Sequence, residues 1–344
     1  MNDKVCNMKA WVLANVGDIR LRDISIKEPD KDEVIVHVRA CGVCGSDIPR
    51  IYKTGAHNMP LVIGHEFAGE VAHVAPGSEH LLGKRVGVFP LKPCKKCKMC
   101  KRGAYALCEH YDYLGSRSDG GMAEYVKVPI WNLIELPDIP YEVAAMLEPM
   151  AVAVHAARRV FTLMEADKSE KIVISGQGTV GMLLGYFLGD IVYTKITVIV
   201  NKNIQKRLTA ARFVDIREEE ALDAINGANV YFEAVGTLES LSTGISALAP
   251  HGRLCIIGNP HSDMMLPKDI YWQILRKELA MAGCWNSTYG HDEDDFRMAL
   301  NAFCSAPERY EKIISHRYDI ENLYKGFELM RDKTEDYIKV MMVN

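Results

Sequence analysis

The sequence predicts an α/β protein with two domains, a β-rich barrel and a doubly wound parallel sheet. Its 344 residues exceed the size at which a single hydrophobic core keeps growing. In the first part of the chain, apolar and polar residues alternate between many glycines and prolines, which is typical of short strands joined by tight turns. Further along, short apolar strands alternate with helical segments, as a parallel sheet covered by helices requires.

The barrel is predicted from period-two runs such as Val34–Arg39 and Phe67–Val74. An amphipathic helix at Asp294–Ser305 and an apolar strand at Tyr337–Val343 end the chain, and we expect this tail to rejoin the barrel. The predicted domain bounds are 1–153 with 290–344 for the barrel domain, about 90–112 for a small lobe within it, and 154–289 for the parallel sheet.

The parallel sheet is predicted from short apolar runs, each beside a helix-compatible stretch. The composition favours a helix at Ala144–Arg159 just before them. The predicted strands are Lys171–Ser175, Ile196–Val200, Val230–Glu233 and Arg253–Gly258. An alternation of this kind is the pattern of a nucleotide-binding domain.

Composition and charge exclude several classes of function. Hydrophobic residues make up 48% of the chain and charged residues 25%, as in an ordinary globular protein. The net charge of -4 gives no general attraction to nucleic acid or anionic lipid, so neither a nucleic-acid partner nor a membrane partner is expected. Neither a stretch of membrane-spanning length nor a secretory signal is evident, which favours the cytoplasm.

Four cysteines follow the spacing C-x2-C-x2-C-x7-C, at Cys94, Cys97, Cys100 and Cys108. Four thiolates at this spacing can close around one ion with the tetrahedral geometry of a structural zinc site. The lysines and the arginine between them offset the negative charge of such a centre. Four unrelated thiols, or a redox centre, are the alternatives.

A second set of potential ligands lies at glycine-flanked turns and at a helix start. Cys44 lies in Cys-Gly-Val-Cys-Gly-Ser-Asp, His65 in Gly-His-Glu-Phe, and Glu148 in Leu-Glu-Pro. A thiolate, an imidazole and a carboxylate leave one coordination position open, which distinguishes a catalytic zinc from a structural one. Taken singly, each of these residues is more often structural.

A glycine-rich turn, Gly-Gln-Gly-Thr-Val-Gly, follows the predicted strand at Lys171–Ser175 and begins an apolar helical stretch. This is the context that a dinucleotide fingerprint needs. The first glycine makes the turn, the second admits the pyrophosphate, and the third lets helix and strand pack. The predicted cofactor residues here are Gly176, Gly178, Thr179, Val180 and Gly181.

The motifs G-x-C-G-S-D, G-H-E-F-x-G and the four-cysteine lobe, in this order, resemble those of the zinc-containing medium-chain dehydrogenases. Glu148, within E-P-x-A-V-x-x-H, makes the chain similar to the sorbitol and polyol dehydrogenase branch. Residues 45–57, 113–125 and 274–279 further resemble the galactitol-1-phosphate 5-dehydrogenase family. The resemblance covers the whole chain, and it implies a GroES-like catalytic barrel with a Rossmann domain.

The resemblance also implies roles for single residues. The ligands of the catalytic zinc would be Cys44, His65 and Glu148, with Glu66 beside the ion, either ligating it or exchanging with water. Ser46 would hydrogen-bond the substrate hydroxyl. Pro49 stands where many relatives carry a proton-relaying histidine, and we therefore hypothesise that Glu66 or Glu148 passes the proton.

The choice between NAD and NADP stays open. The second strand of the sheet ends at Asn201 and Lys202, with Arg207 close by, so the acid that favours NAD is replaced by an amide and basic neighbours. The resemblance favours NAD, while the local charge permits NADP. It also implies contacts to ribose and nicotinamide at two strand ends, around Ala234, Val235 and Gly258.

The expected reaction is oxidation of a secondary hydroxyl of a polyol or polyol phosphate, similar to galactitol 1-phosphate, to a ketose. Arg50, Lys53 and Arg117 lie in segments which the resemblance places around the substrate, and they could bind a phosphate. The alternatives are a threonine or butanediol dehydrogenase, and a non-catalytic dinucleotide-binding protein. An apolar strand near residues 279–283 predicts an open sheet edge, from which we expect a homodimer or homotetramer.

Overall fold

In the computed structural model of the chain, the residues that are described are 4–161, 169–190, 196–199, 215–217, 225–290 and 294–344. They divide into two compact units. The first contains Met1–Glu148 and Thr288–Asn344, and the second contains Pro149–Ser287. In the described part of the chain, no helix is long and apolar enough to cross a membrane.

The first unit is a β-barrel of the GroES-like type with a few short helices. Its strands are β1 Lys4–Asn15, β2 Asp18–Lys27, β3 Glu33–Val43, β4 Leu61–Val62, β5 Glu66–Val74, β6 Arg85–Val88, β7 Leu91–Lys92, β8 Asp112–Tyr113, β9 Tyr125–Pro129, β10 Leu133–Glu135, β17 Ile314–Tyr318 and β18 Lys339–Val343. Its helices are α1 Asp47–Pro49, α2 Tyr141–Ala145, Asp295–Ser305, Pro307–Glu311 and Leu323–Asp332.

Strand β3 is the centre of the barrel's main sheet, which has the order β10-β6-β5-β3-β18-β17. It pairs antiparallel with β5, and also with β9 and β18. Val34, Ile35, Val36 and Val38 of this strand are fully buried, so apolar burial holds it in place. The C-terminal strand thus returns to the barrel, as the sequence predicts.

The register of β3 brings three distant segments together. Gly42 pairs with Glu66 of β5 and with Met341 of β18. A Cβ atom on Gly42 would lie 2.2 Å from Oε2 of Glu66 and 3.1 Å from Cε of Lys339. Only glycine at this position leaves room for the side chains of Glu66 and Lys339 to contact each other.

The second unit contains a six-stranded, all-parallel sheet of the Rossmann type, in the order β13-β12-β11-β14-β15-β16. Its strands are β11 Ile172–Ser175, β12 Ile196–Ile199, β13 Asp215–Arg217, β14 Ala228–Glu233, β15 Leu248–Ile256 and β16 Ala280–Gly283. The described helices are α3 Leu147–Val160, which begins in the first unit, α4 Thr179–Asp190, Leu238–Ala247 and Lys268–Arg276.

Several element bounds differ from the sequence predictions. The helix predicted at Ala144–Arg159 is two helices, because Met146 ends α2 before α3 begins. The last strand begins at Lys339 rather than at Tyr337. The strand predicted from Arg253 begins earlier, at Leu248, and its pairing with β14 shifts register near Val230.

Candidate active site

The candidate site lies where β3 ends and β5 begins. Cys44 follows β3, and His65 directly precedes β5 in a turn that depends on Gly64. Gly64 has a φ of +97°, and a Cβ atom there would lie 2.9 Å from Sγ of Cys41 and 2.6 Å from Cγ of Met122. The turn therefore holds the imidazole beside the end of β3.

Three potential metal ligands meet at this point. Cys44, His65 and Glu66 each offer a ligand atom, and these atoms lie within 4.8 Å of one another. The hydroxyl of Ser46 donates to Sγ of Cys44 at 3.3 Å. Nδ1 of His65 is buried and makes no hydrogen bond. A thiol, an imidazole and a carboxylate this close to one another are the donor set that zinc takes in proteins.

Glu148 is close to this set but does not lie within 4.8 Å of all three ligand atoms. Its buried Oε1 accepts a hydrogen bond of 2.9 Å from the hydroxyl of Tyr113, which anchors the carboxylate. Burial raises the pKa of Glu148, and the neighbouring charge of Glu66 raises it further, whereas His65 acts in the opposite direction. The sequence predicts Glu148 as a ligand and Glu66 as either a ligand or a neighbour of the ion. In the structure, Glu66 lies within the set of ligand atoms that are 4.8 Å or less apart, and Glu148 lies outside it.

Glu66 has a buried cationic partner that the sequence analysis missed. Nζ of Lys339 forms an ion pair with Oε2 of Glu66 and donates to the carbonyl of Val43 at 3.1 Å. Lys339 and Glu66 are each only 1% exposed. Burial by itself would lower the pKa of Lys339, but Glu66 and Cys44 outweigh it and raise that pKa, so the ammonium stays charged.

Asp47 is a second buried group that orients the site. Its Oδ2 accepts the backbone N–H of Cys44 at 3.0 Å, and its Oδ1 lies 3.6 Å from Nδ1 of His65. Burial opposes protonation of His65, but Asp47, Cys44 and Glu148 outweigh it and raise the pKa of this histidine to about 10. Arg50 forms an ion pair with the same Asp47, so its guanidinium has a partner within the site's own framework.

The other two predicted phosphate-binding residues are placed differently from Arg50. Lys53 is exposed at the end of the short helical turn Arg50–Thr54. The guanidinium of Arg117 lies over the ring of Tyr111, 4.3 Å from its centroid, and that ring packs edge-on against Tyr113. A single aromatic pair therefore links Arg117 to the residue that holds Glu148.

The four cysteines of the lobe converge as their spacing predicts. Their sulfur atoms lie within 4.8 Å of one another. Backbone N–H groups of Cys97 and Cys100 donate to the sulfurs of Cys94 and Cys97 at 3.4 and 3.5 Å. The N–H groups of Cys100 and Glu109, with the neighbouring thiols, outweigh burial and lower the pKa of Cys97 to about 6, which favours the thiolate that metals bind. The lobe has the donors of a closed, structural zinc site.

In the second unit, the three fingerprint glycines have different surroundings. Gly176 has a φ of +111°, and a Cβ atom on Gly181 would lie 2.0 Å from the carbonyl oxygen of Gly176. Around Gly178 there is open space. Thr179 and Val180 begin α4, so backbone N–H groups at this helix start could bind the phosphates of a dinucleotide.

A buried carboxylate shapes the neighbouring strand end. Oε1 of Glu233 accepts the N–H groups of Val235 and Gly236, both at 2.9 Å, and so closes the turn that contains Ala234. A Cβ atom on Gly258 would lie 2.8 Å from Oε2 of the same Glu233. Asn201, Lys202 and Arg207, which were predicted to select the cofactor, lie outside the described residues.

Three residues that lie against the candidate ligands were not among the candidates predicted from the sequence: Lys339, Asp47 and Tyr113. Lys339 carried a signal, because a charged residue inside an apolar strand must have a buried partner. Asp47 lies within the quoted G-x-C-G-S-D motif. Tyr113 carried no distinguishing signal, since its partner is 35 residues further along the chain.

The barrel, the parallel sheet and the cysteine-rich lobe together define a medium-chain dehydrogenase. Residues 30–138 match the alcohol dehydrogenase GroES-like domain, and residues 141–343 match the glucose dehydrogenase C-terminus. The chain belongs to the medium-chain alcohol dehydrogenase family. It is thus an oxidoreductase of the alcohol and polyol dehydrogenase class.

Relatives within this family match nearly the whole chain. Galactitol 1-phosphate 5-dehydrogenase of Escherichia coli K12 is 32% identical over 92% of this chain and 94% of its own. Sorbitol dehydrogenase of Bacillus subtilis is 28% identical over 98% of this chain and 97% of its own. The crystal structure of galactitol-1-phosphate dehydrogenase from Escherichia coli superimposes with a TM-score of 0.89 at 30% identity, covering 98% of this chain and 100% of that one.

The buried ion pair gives a stability prediction. Lys339→Met removes the cation and leaves Glu66 buried and uncompensated, so the metal-free protein should lose about 3–5 kcal/mol of unfolding free energy. Denaturant unfolding in the presence of a chelator measures this loss. Lys84→Met, which breaks the exposed pair with Glu135, is the matched control and should cost about 0–1 kcal/mol. Equal losses in the two variants would contradict the assigned role of the buried pair.

Proposed function

We propose that the protein catalyses zinc-dependent oxidation of a secondary hydroxyl of a polyol phosphate similar to galactitol 1-phosphate, forming a ketose and transferring hydride to NAD(P). The observation that carries this proposal is the set of Cys44, His65 and Glu66, in which His65 and Glu66 are buried and Cys44 is half-buried. Glu148 and Ser46 lie next to it. It is supported by relatives whose names describe galactitol 1-phosphate and sorbitol oxidation.

The residues at the site fit a zinc ion. The buried Nδ1 of His65 lacks a hydrogen bond, and a thiol and a carboxylate share its surroundings. The residues that would hold the ion are Cys44, His65 and one or both of Glu66 and Glu148. A zinc ion in this place supplies Lewis acidity, which makes an alcohol easier to deprotonate. The four-cysteine lobe would hold a second, structural ion.

The chain's own residues would then orient the substrate and accept its proton. The half-buried hydroxyl of Ser46, which touches Cys44, is placed to hydrogen-bond the reacting hydroxyl. Oxidation also releases a proton, and a carboxylate is the group suited to take it. Because Pro49 offers no relay, we assign that proton to Glu66 or Glu148, both buried beside the set.

The second unit would hold the nicotinamide cofactor. The space around Gly178 lets the pyrophosphate approach the start of α4, and the turn closed by Glu233 offers backbone groups around Ala234, Val235 and Gly258. The similarity to polyol dehydrogenases favours NAD over NADP.

Arg117 is the strongest candidate for binding the substrate phosphate. It is half-buried and stacked on Tyr111, which holds its guanidinium in place at low entropic cost. Arg50 is engaged with Asp47, and Lys53 is exposed. A planar guanidinium is also the side chain best matched to a phosphate.

The metal content gives the first functional prediction. The purified wild-type protein should hold about two zinc ions per chain, one in each cysteine-containing site. Cys44→Ser should retain about one ion, and it should lose dehydrogenase activity because the remaining zinc lies in the lobe. Elemental analysis together with a rate assay tests both points. About one ion in the wild type would favour a non-catalytic dinucleotide-binding protein.

The substrate prediction uses Arg117. Galactitol 1-phosphate should be oxidised with a higher kcat/KM than free galactitol or sorbitol, and Arg117→Ala should lower the value for the phosphorylated substrate alone, by about tenfold or more. Steady-state rates with NAD and with NADP measure both preferences. Arg20→Ala, at an exposed pair with Asp18, is the control. Equal values of kcat/KM for phosphorylated and free polyols would show that the enzyme does not select a substrate phosphate.

We also propose that the protein forms a homodimer or a homotetramer through the second unit. Strand β16 lies at the edge of the parallel sheet, and Met281 in this strand is exposed, as is Trp285 just after the strand. Trp272 and Leu275 in the helix Lys268–Arg276 are exposed too. An exposed apolar edge strand invites pairing with a second copy across a two-fold axis.

Sedimentation analysis tests this assembly directly. The wild type should sediment as a dimer or larger, and Met281→Lys should shift it toward the monomer because a charge at the edge opposes pairing. Met265→Lys, at an exposed methionine in the segment before helix Lys268–Arg276, is the comparison variant and should leave the assembly unchanged. A wild-type monomer at micromolar concentration would contradict the proposal.

A further inference from the structure

Tyr113 contacts two of the residues in the candidate active site. Its hydroxyl donates to Oε1 of Glu148 at 2.9 Å, and its ring lies edge-on to the imidazole of His65, with centroids 5.7 Å apart. All three side chains are buried. A neutral phenol thus touches both the carboxylate and the imidazole that the proposed metal centre would use.

The backbone around Tyr113 is held firmly. Tyr113 pairs with Leu91 in the short antiparallel ladder of β7 and β8. Its carbonyl oxygen accepts the N–H groups of Ser116, Arg117 and Ser118 at 3.2, 2.9 and 3.2 Å. A side chain on such a fixed backbone has little freedom to move, so it can hold a partner in one orientation.

The two carboxylates near Cys44 have donors of different charge. Lys339, a cation, occupies one oxygen of Glu66 and offsets its charge. Tyr113, a neutral donor, occupies one oxygen of Glu148 and leaves its charge in place. Glu148 therefore keeps a second oxygen, Oε2, that is available to a cation. Hydrogen bonds of this kind, from a neighbour to a metal ligand, set the ligand's orientation and its affinity for the ion.

We propose that Tyr113 is a positioning residue that holds Glu148 by one oxygen and so presents the other oxygen to the metal centre. This inference rests on the proposed function, because it takes the set around Cys44 to bind zinc. It assigns Tyr113 no contact with substrate. Tyr113 affects the metal centre only by way of Glu148. The test therefore measures how the effects of the two residues on zinc affinity depend on each other.

The test compares Tyr113→Phe with the wild type by competition with a chromophoric chelator. The measured quantity is the affinity for the zinc ion bound at Cys44, which is identified as the ion that the Cys44→Ser variant does not hold. Tyr113→Phe should weaken this affinity by about tenfold, since loss of a hydrogen bond to a ligand typically costs that much. In protein loaded with Co²⁺, the visible absorption should shift, because the ligand geometry changes. In a Glu148→Ala background, the same substitution should change zinc affinity by less than about twofold.

Tyr289→Phe is the matched control. Its phenol is in the same unit and donates to the carbonyls of Trp131 and Leu133 at 3.1 and 2.9 Å. This variant should lose some thermal stability but keep zinc affinity and the Co²⁺ spectrum. If Tyr113→Phe does not fold, Tyr113→His replaces it, and its effect should likewise vanish in the Glu148→Ala background.

The outcomes separate the two proposals. If the wild type lacks the zinc ion that depends on Cys44, the proposed function fails. If the wild type holds that ion and Tyr113→Phe matches it in zinc affinity and in spectrum, the positioning role alone is overturned. An equal effect of Tyr113→Phe with and without Glu148 would also overturn that role, because the residue would then act by another route.

Discussion

The candidate site depends on one buried ion pair between the last strand of the chain and the first residue of β5. Lys339 and Glu66 are 273 residues apart in the sequence, and both are almost fully buried. Burying two charges costs more than their attraction returns unless the geometry and the hydrogen bonds are good. Lys339 meets this condition by also donating to the carbonyl of Val43, and Gly42 leaves the room that both side chains need.

This pair explains the electrostatic arrangement of the site. Two carboxylates and a thiolate in one buried place repel one another, and burial destabilises their charged forms. A fixed cation offsets both effects. Lys339 supplies that cation on the Glu66 side, and Arg50 supplies one for Asp47 behind His65. Glu148 receives a neutral donor, Tyr113. Each cation is therefore paired with one carboxylate, Lys339 with Glu66 and Arg50 with Asp47, while the partner of Glu148 is neutral.

Much of the fold could be predicted from the sequence because its signals are local. The alternation of Val34–Arg39, the strand before Gly176 and the cysteine spacing of the lobe each lie within a few residues, and each matches an observed element or cluster. The long-range pairs could not be predicted in the same way. Lys339 is visible as an anomaly in an apolar strand, but its partner follows only from the register of β18 on β3 and of β3 on β5. The approach of Glu66 to Cys44 and His65 has the same cause, because it depends on the pairing of β3 with β5. The contact of Tyr113 with Glu148 is likewise indicated by no local pattern.

A crystal structure of the purified protein, with anomalous scattering recorded at the zinc edge, tests whether Cys44 and His65 hold a metal ion. We expect a peak at about 2.3 Å from Sγ of Cys44 and about 2.1 Å from a ring nitrogen of His65, with a carboxylate oxygen of Glu66 or Glu148 completing the protein ligands. A second peak should lie among the four cysteines of the lobe. A zinc peak in the lobe alone, in a crystal of active enzyme, would show that the reaction does not depend on a metal ion at Cys44 and His65.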